Sequence, residues 1–240
     1  MEDQYQTHIY APIELSTQQR NDMWALYQSW YDASSPKLFF DDLSKKTEVL
    51  VVSRHSWLVG FTTLETFTWQ RGDLSLKIVY SGDTIVDPSH WGQQALAFAW
   101  IRRVGQIKLE QPQLPLYWLL VVKGHRTFKY LPTFSRTFYP HWKDRNEELQ
   151  ELADELARDK FGRHYNPGSG VVEFTRSRGQ LSPAIAEPSA SELRKECVRF
   201  FLSKNPNFRV GHELVCICAL EESNMKPLPQ RLFRQAARTV

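Results

Sequence analysis

The chain has 240 residues, 42% of them hydrophobic and 24% charged, with a formal net charge of +3. That length and apolar content can bury a sizeable core and exclude an intrinsically disordered chain. So small a charge lacks the electrostatic footprint of a dedicated nucleic-acid binder, so nucleic acid is not an expected partner.

No segment approaches the roughly 18 uninterrupted apolar residues of a membrane-spanning helix. The start, MEDQYQTHIY, lacks the basic and then apolar layout of a signal peptide. Three cysteines, Cys197, Cys216 and Cys218, are an odd number late in the chain and argue against a secreted disulfide framework. A cytoplasmic protein with reduced thiols and no membrane span is therefore expected. The sequence holds no GxxxxGK(S/T) phosphate loop, no zinc-finger pairing, no HExxH and no GxSxG, which removes several common enzyme classes.

In chain order, Ser16 or Thr17 can cap a first helix reaching about Trp30, with Met23, Leu26, Tyr27 and Trp30 at helical spacing. A short second helix is expected from Phe39 to about Lys46, after the Ser34-Ser35-Pro36 breaker. Val49–Val52 and Trp57–Phe67 read as a hairpin, followed by a third strand, Leu74–Val86, with a bulge or bend near Ser81-Gly82. Asp87-Pro88-Ser89 stops that strand, and a helix from Trp91 to about Lys108 follows. Leu114–Val122 is an apolar run of the kind found in a central strand covered on both faces. Residues 126 to 139 predict a helix interrupted at Pro132.

Beyond it, Asn146 to about Lys160 is a helix whose charges suit its dipole. Gly168–Phe174 is expected to be a short strand, and Arg176–Ala190 a mobile or irregular connection. Helix resumes at Ser191 and ends at Asn205-Pro206. Leu214–Leu220 forms a late strand, and the tail from Asn224 is basic and contains proline. Cys216 and Cys218 share one side of that strand and read as small apolar core residues, so no metal is assigned.

This order of helix, helix, three antiparallel strands, helix, strand and helix resembles the core of the GCN5-related N-acetyltransferase superfamily. The resemblance implies an α/β (α+β) fold with a mixed, mostly antiparallel central sheet flanked by helices. Residues 1–140 would be an acyl-coenzyme A-binding core, and 141–240 a C-terminal extension with helices and closing strands. In that family a V-x-P step leads into a glycine-rich loop whose N–H groups hold the coenzyme's pyrophosphate at a helix N-terminus. The matching stretch is Ile85-Val86-Asp87-Pro88-Ser89-His90-Trp91-Gly92-Gln93-Gln94-Ala95-Leu96. It keeps the Val, the Pro and one Gly. Trp91 stands where the family usually has Arg or Gln, and Gln94 and Leu96 stand where further glycines usually lie.

By this resemblance Ile85, Val86, Trp91, Gly92, Gln93, Gln94 and Ala95 are the residues for acetyl-coenzyme A or a longer acyl-coenzyme A. Arg126, with Lys123 and Lys129, would meet its 3′-phosphate or an acidic acyl carrier protein. An ordinary strand-to-helix turn remains the alternative for the loop. Tyr130 and Tyr139 are candidate general acids for the departing thiolate, with Tyr130 favoured, and the alternative for both is amphipathic packing. Glu65, or Asp83, is the candidate base for an amine acceptor. Tyr165, Phe174, Phe200 and Phe201 would line an acyl tunnel or simply bury themselves between helix and sheet.

The expected activity is transfer of an acyl group from a coenzyme A or carrier-protein thioester to a small amine or amino-acid-like acceptor. A non-catalytic ligand- or protein-binding module of the same fold is the competing reading, and a homodimer is left open.

Overall fold

The computed structural model describes residues 5–235. In chain order these form β1 (Gln6–Tyr10), α1 (Thr17–Trp30), β2 (Tyr31–Asp32) and α2 (Pro36–Leu43), followed by β3 (Glu48–Arg54), β4 (Trp57–Arg71), β5 (Leu74–Val86) and α3 (Ala95–Glu110). Next come β6 (Leu116–Val122), α4 (His125–Phe128), α5 (Tyr130–Phe134), α6 (Glu147–Phe161), β7 (Tyr165–Asn166) and β8 (Val171–Val172). The chain ends with β9 (Gln180–Leu181), α7 (Pro183–Ala186), α8 (Ala190–Leu193), α9 (Glu196–Lys204), β10 (Glu213–Ala219) and α10 (Pro227–Gln235). The fold class is α/β, with mostly antiparallel strands flanked by helices. Among the described residues no helix is long and apolar enough to cross a membrane.

Two compact units divide the chain. Among the described residues one comprises 5–29, 35–117 and 220–235, the other 30–34 and 118–219. In the first, strands run in the order β1-β3-β4-β5, all antiparallel. β4 and β5 form a long two-stranded ribbon because Trp57–Arg71 and Leu74–Val86 are both rich in β-branched and aromatic residues. Their register slips between Thr62 and Leu64, so the bend expected at Ser81-Gly82 is a shift in pairing within a continuous strand. Gly82 sits at this point: a Cβ there would lie 2.5 Å from Thr63 Oγ1 and 2.8 Å from Lys46 Cε.

Helix α3 lies on the β1-β3-β4 face, burying Leu96, Trp100, Ile101, Val104 and Ile107 at helical spacing. Arg103 fastens it to the sheet. Its guanidinium donates to both carboxylate oxygens of Glu48, at 2.7 and 2.5 Å, and to Glu110 at 3.0 Å. These two-pronged bonds raise the Arg103 pKa above its ordinary value. α10 packs on the same helix, so the basic tail from Asn224 holds a helix of its own.

In the second unit the strand order is β6-β10-β8-β7. Several expected boundaries move. α2 starts at Pro36 rather than Phe39, because Ser35 caps it by accepting from Leu38 N and proline suits the first turn. The break expected at Pro132 falls at Lys129, and Pro132 lies inside α5, where a first-turn proline loses no helical hydrogen bond. The strand expected over 168–174 shrinks to Val171–Val172, paired with Tyr165–Asn166 and with Glu213–Leu214. The helix expected from Ser191 is two helices, parted at Arg194-Lys195. The connection expected to be irregular from Arg176 carries β9 and α7, and β9 pairs with β2.

Removing the Arg103 fork should loosen α3 from its sheet. Arg103→Ala is expected to cost about 2 kcal/mol, the scale of charged hydrogen bonds in a half-buried setting. Denaturant unfolding followed by circular dichroism measures it.

Candidate functional site

The turn between β5 and α3 is built by its own side chains. β5 ends where Gly60 faces Val86 in the β4–β5 register, and a Cβ on Gly60 would sit 3.0 Å from the Ile85 carbonyl oxygen. Asp87 then turns the chain. Its N–H donates to the Val59 carbonyl at 2.9 Å, and its carboxylate accepts from the N–H and hydroxyl of Ser89. A single 3-10 turn, Pro88–His90, follows, with His90 Nδ1 2.9 Å from the Tyr5 hydroxyl.

Trp91 Nε1 donates to the Val86 carbonyl at 2.9 Å and so folds the exposed indole back over the end of β5. Gly92 adopts φ +96, a conformation that disfavours other residues, and a Cβ there would meet nothing within 4 Å. α3 begins at Ala95, not at Trp91, because this 3-10 turn and the positive φ at Gly92 intervene. Gln93 Oε1 accepts from the Ala95 N–H at 2.6 Å, while the N–H groups of Leu96 and Ala97 lie in the first turn, where no intrahelical acceptor exists. Ile85 is buried and Gln94 exposed. Ile85 and Val86 thus end β5, Trp91 to Gln94 lie in the turn and Ala95 opens α3, with Gly92 open to solvent.

Glu65 and Asp83 lie on the same ribbon. Glu65 faces Tyr80 across the register, four positions along β4 from Phe61, the partner of Ile85. At about 3.3 Å per residue it stands on the order of 13 Å along the strand from the loop end. Asp83 is half-buried within the register shift.

In the second unit, Tyr130 opens α5, its ring 5.3 Å from that of Phe134, and burial raises its hydroxyl above the ordinary phenol value. Tyr139 occupies a different setting. Its backbone exchanges two 2.8 Å hydrogen bonds with Ile217, and its hydroxyl lies against Gly170. Burial, together with the charge of Asp154 and the neighbouring Cys216, pushes its pKa to about 12. Tyr165 donates to Asp154 in the same cluster. Both Tyr130 and Tyr139 therefore hold their protons at neutral pH, as a proton donor must.

The basic stretch after β6 is already paired. Lys123 meets Glu213 at 3.1 Å; Arg126 and Lys129 meet Glu192 at 3.2 and 3.0 Å, and Arg126 also donates to the Ile185 carbonyl. Glu192 lies 66 residues from Arg126 in the chain, a pairing that no local pattern marks. The aromatics of the extension disperse. Phe200 and Phe201 pack at a tilt beside Phe128, and Phe174 lies beside His164. Cys216 and Cys218 are fully buried, and Cys218 accepts from the Ser135 hydroxyl at 3.3 Å. Among the described residues no group of three or more His, Cys, Asp or Glu is placed to hold a metal.

No family model matches the chain, and no curated protein does. Solved structures similar to it include a protein from Enterococcus faecalis described as a probable N-acyltransferase, at 11% identity and a TM-score of 0.43. That match covers 56% of this chain and 33% of the other, so the chain spans about a third of that protein's length. YhbS of Escherichia coli, a GNAT family N-acetyltransferase in complex with CoA, is 17% identical over 56% of this chain and 70% of that one, with a TM-score of 0.39. A ribosomal-protein-alanine N-acetyltransferase from Brucella melitensis is 18% identical over 49% and 79%, with a TM-score of 0.34.

Titration of the second unit gives a test. The folded pKa of Tyr139 is raised from 10.0 to about 12, and that of Cys218 from 9.0 to about 12. Their contribution to stability is therefore fully present below pH 9 and is lost as pH rises towards 12. Thermal melts between pH 8 and 12 are expected to fall, and Tyr139→Phe to fall less steeply.

Proposed function

We propose that the chain is an acyltransferase of the GCN5-related kind, taking an acyl group from a coenzyme A thioester to an amine. The observation that supports this most is the β5–α3 turn: a Val-x-Pro strand end, a glycine at φ +96 open to solvent, and first-turn helix N–H groups of the sort that favour a phosphate. Ile85, Val86 and Trp91–Ala95 are the proposed coenzyme contacts. The strand-end residues would offer main-chain hydrogen bonds to the pantetheine arm, and the turn would take the pyrophosphate.

The chemistry asked of the protein is small, because a thioester is already reactive. The neutral amine nitrogen attacks the carbonyl carbon, the C–S bond breaks, and the thiolate leaves with a proton. Glu65 is the proposed acceptor, through water, of the proton the amine loses. Holding the thioester and amine in register supplies most of the acceleration. A small amine or amino-acid-like molecule is the proposed acceptor, and a carrier-protein thioester or a longer acyl chain are finer variants of the same reading.

One observation favours a second reading, a non-catalytic binding module. The Gln93 side chain already satisfies the Ala95 N–H, and no glycine replaces Gln94 or Leu96 to bring a ligand closer to the backbone.

Calorimetry with acetyl-coenzyme A and a long-chain acyl-coenzyme A separates the cases. The unaltered chain is expected to bind one of them in the micromolar range. Gly92→Glu, which sets a carboxylate and a strained backbone in the turn, should bind at least ten-fold more weakly while keeping its circular dichroism spectrum. Release of free thiol with a panel of amines is expected from an enzyme. Binding with no release at any amine would select the module, and binding of neither thioester would overturn both.

A further inference from the structure

The pairing at the end of β5 fixes which main-chain groups face away from β4. The Asp87 N–H donates to the Val59 carbonyl at 2.9 Å, so Asp87 bonds towards β4. The Ile85 carbonyl turns the same way, 3.0 Å from where a Cβ on Gly60 would sit. In an antiparallel ladder, residues bonded across the pair alternate with residues that turn their N–H and C=O to the opposite edge. Val86 lies between those two and faces Gly60 in the register, so it presents its carbonyl to the edge of β5 away from β4. That carbonyl is taken. The Trp91 indole reaches back along the turn, and its Nε1–H donates to the Val86 oxygen at 2.9 Å.

The backbone that carries this indole is well fastened. The Asp87 carboxylate accepts from the Ser89 N–H, His90 Nδ1 lies 2.9 Å from the Tyr5 hydroxyl, and the Trp91 N–H closes the 3-10 turn on the Pro88 carbonyl at 3.2 Å. The side chain is less confined. Trp91 is 43% exposed, and at the next residue, Gly92, a Cβ would meet nothing within 4 Å, so open space adjoins the indole's own backbone. Rotation of the indole away from Val86 therefore needs no change in the turn.

The chemistry of the contact also matters. An indole has one donor and no acceptor. A secondary amide in an extended arm has the same kind of donor, and it brings a carbonyl that can accept from a strand edge as well. Such an arm can replace the indole on the Val86 oxygen and offer the edge more than the indole does.

We propose that the Trp91 indole is a latch on the thioester site. Closed, it occupies the Val86 carbonyl that an amide of the pantetheine arm requires, and an arriving thioester binds only as the indole turns away. This inference rests on the acyltransferase reading and adds to it the regulation of the same site. A closed latch reduces affinity by the fraction of chains in which it is open. A neutral hydrogen bond of this kind favours the closed form about five-fold. The latch opposes the arm and leaves the pyrophosphate end, which meets the turn itself, unaffected.

Calorimetry on the full chain compares acetyl-coenzyme A with adenosine 3′-phosphate 5′-diphosphate, which keeps the pyrophosphate and lacks the arm. Trp91→Phe keeps an aromatic ring and removes the donor. It is expected to bind acetyl-coenzyme A at least three-fold more tightly than the unaltered chain does, and the nucleotide with unchanged affinity. Indole N–H exchange, read by NMR and assigned in the unaltered chain, stands whether or not the variant folds. Without ligand, the Trp91 indole N–H should exchange at least ten-fold more slowly than that of Trp57, which is 78% exposed. Saturating acetyl-coenzyme A should speed the Trp91 exchange at least five-fold. Equal exchange at Trp91 and Trp57 without ligand, unchanged Trp91 exchange at saturation, or a folded Trp91→Phe with no gain for acetyl-coenzyme A or an equal gain for the nucleotide would overturn the latch and leave the acyltransferase reading standing. Slow Trp91 exchange with no acetyl-coenzyme A binding to either protein would instead overturn that reading, and the gating role with it.

Discussion

The register of β4 against β5 is the constraint on which the first unit depends. Eleven paired positions run from Arg71↔Leu74 to Gly60↔Val86, and the slip between Thr62 and Leu64 sets which side chains face α3 beyond it. The slip needs Gly82, where a side chain would collide with Thr63 and with the stem of Lys46. The buried Lys46 ammonium is satisfied by Asp42 at 2.8 Å, so the same point also ties down the end of α2. Because β5 is pinned along its length, its last residue delivers Asp87 and Pro88 to a fixed place. From there the turn, Gly92 and the start of α3 follow.

Much of that framework was legible in the sequence because its signals are local. β5 occupies the expected Leu74–Val86, and α6 follows its Asn146 cap, since apolar periodicity and capping act within a few residues. β1 was missed because Gln6–Tyr10 is an exposed edge strand with no buried alternation, and its place is set by pairing with β3. The two-residue strands β2, β7 and β9 leave no periodic trace at all. The start of α3 was read four residues early because Trp91 is an aromatic at helical spacing from Ala95. Its indole instead folds back on Val86, a contact that no helical pattern encodes.

The candidate site was legible as a stretch of residues and not as an electrostatic arrangement. Ile85 to Ala95 could be picked out from a strand end, a proline and a glycine. That Gln93 would occupy the Ala95 N–H, or that Arg126 would find Glu192, depends on side chains meeting after folding. The basic run from Lys123 to Lys129 looked like surface charge awaiting a phosphate. The structure gives each of those cations a carboxylate partner.

Hydrogen exchange read by mass spectrometry, on the full chain with and without saturating acetyl-coenzyme A, tests the central claim most directly. Slowed exchange is expected at the amides of Gln93 to Ala97, which the bound pyrophosphate would shield, and along Ile85 and Val86. Saturation with unchanged exchange across residues 85–97, or protection confined to other segments, would contradict the assignment of this turn as the thioester site.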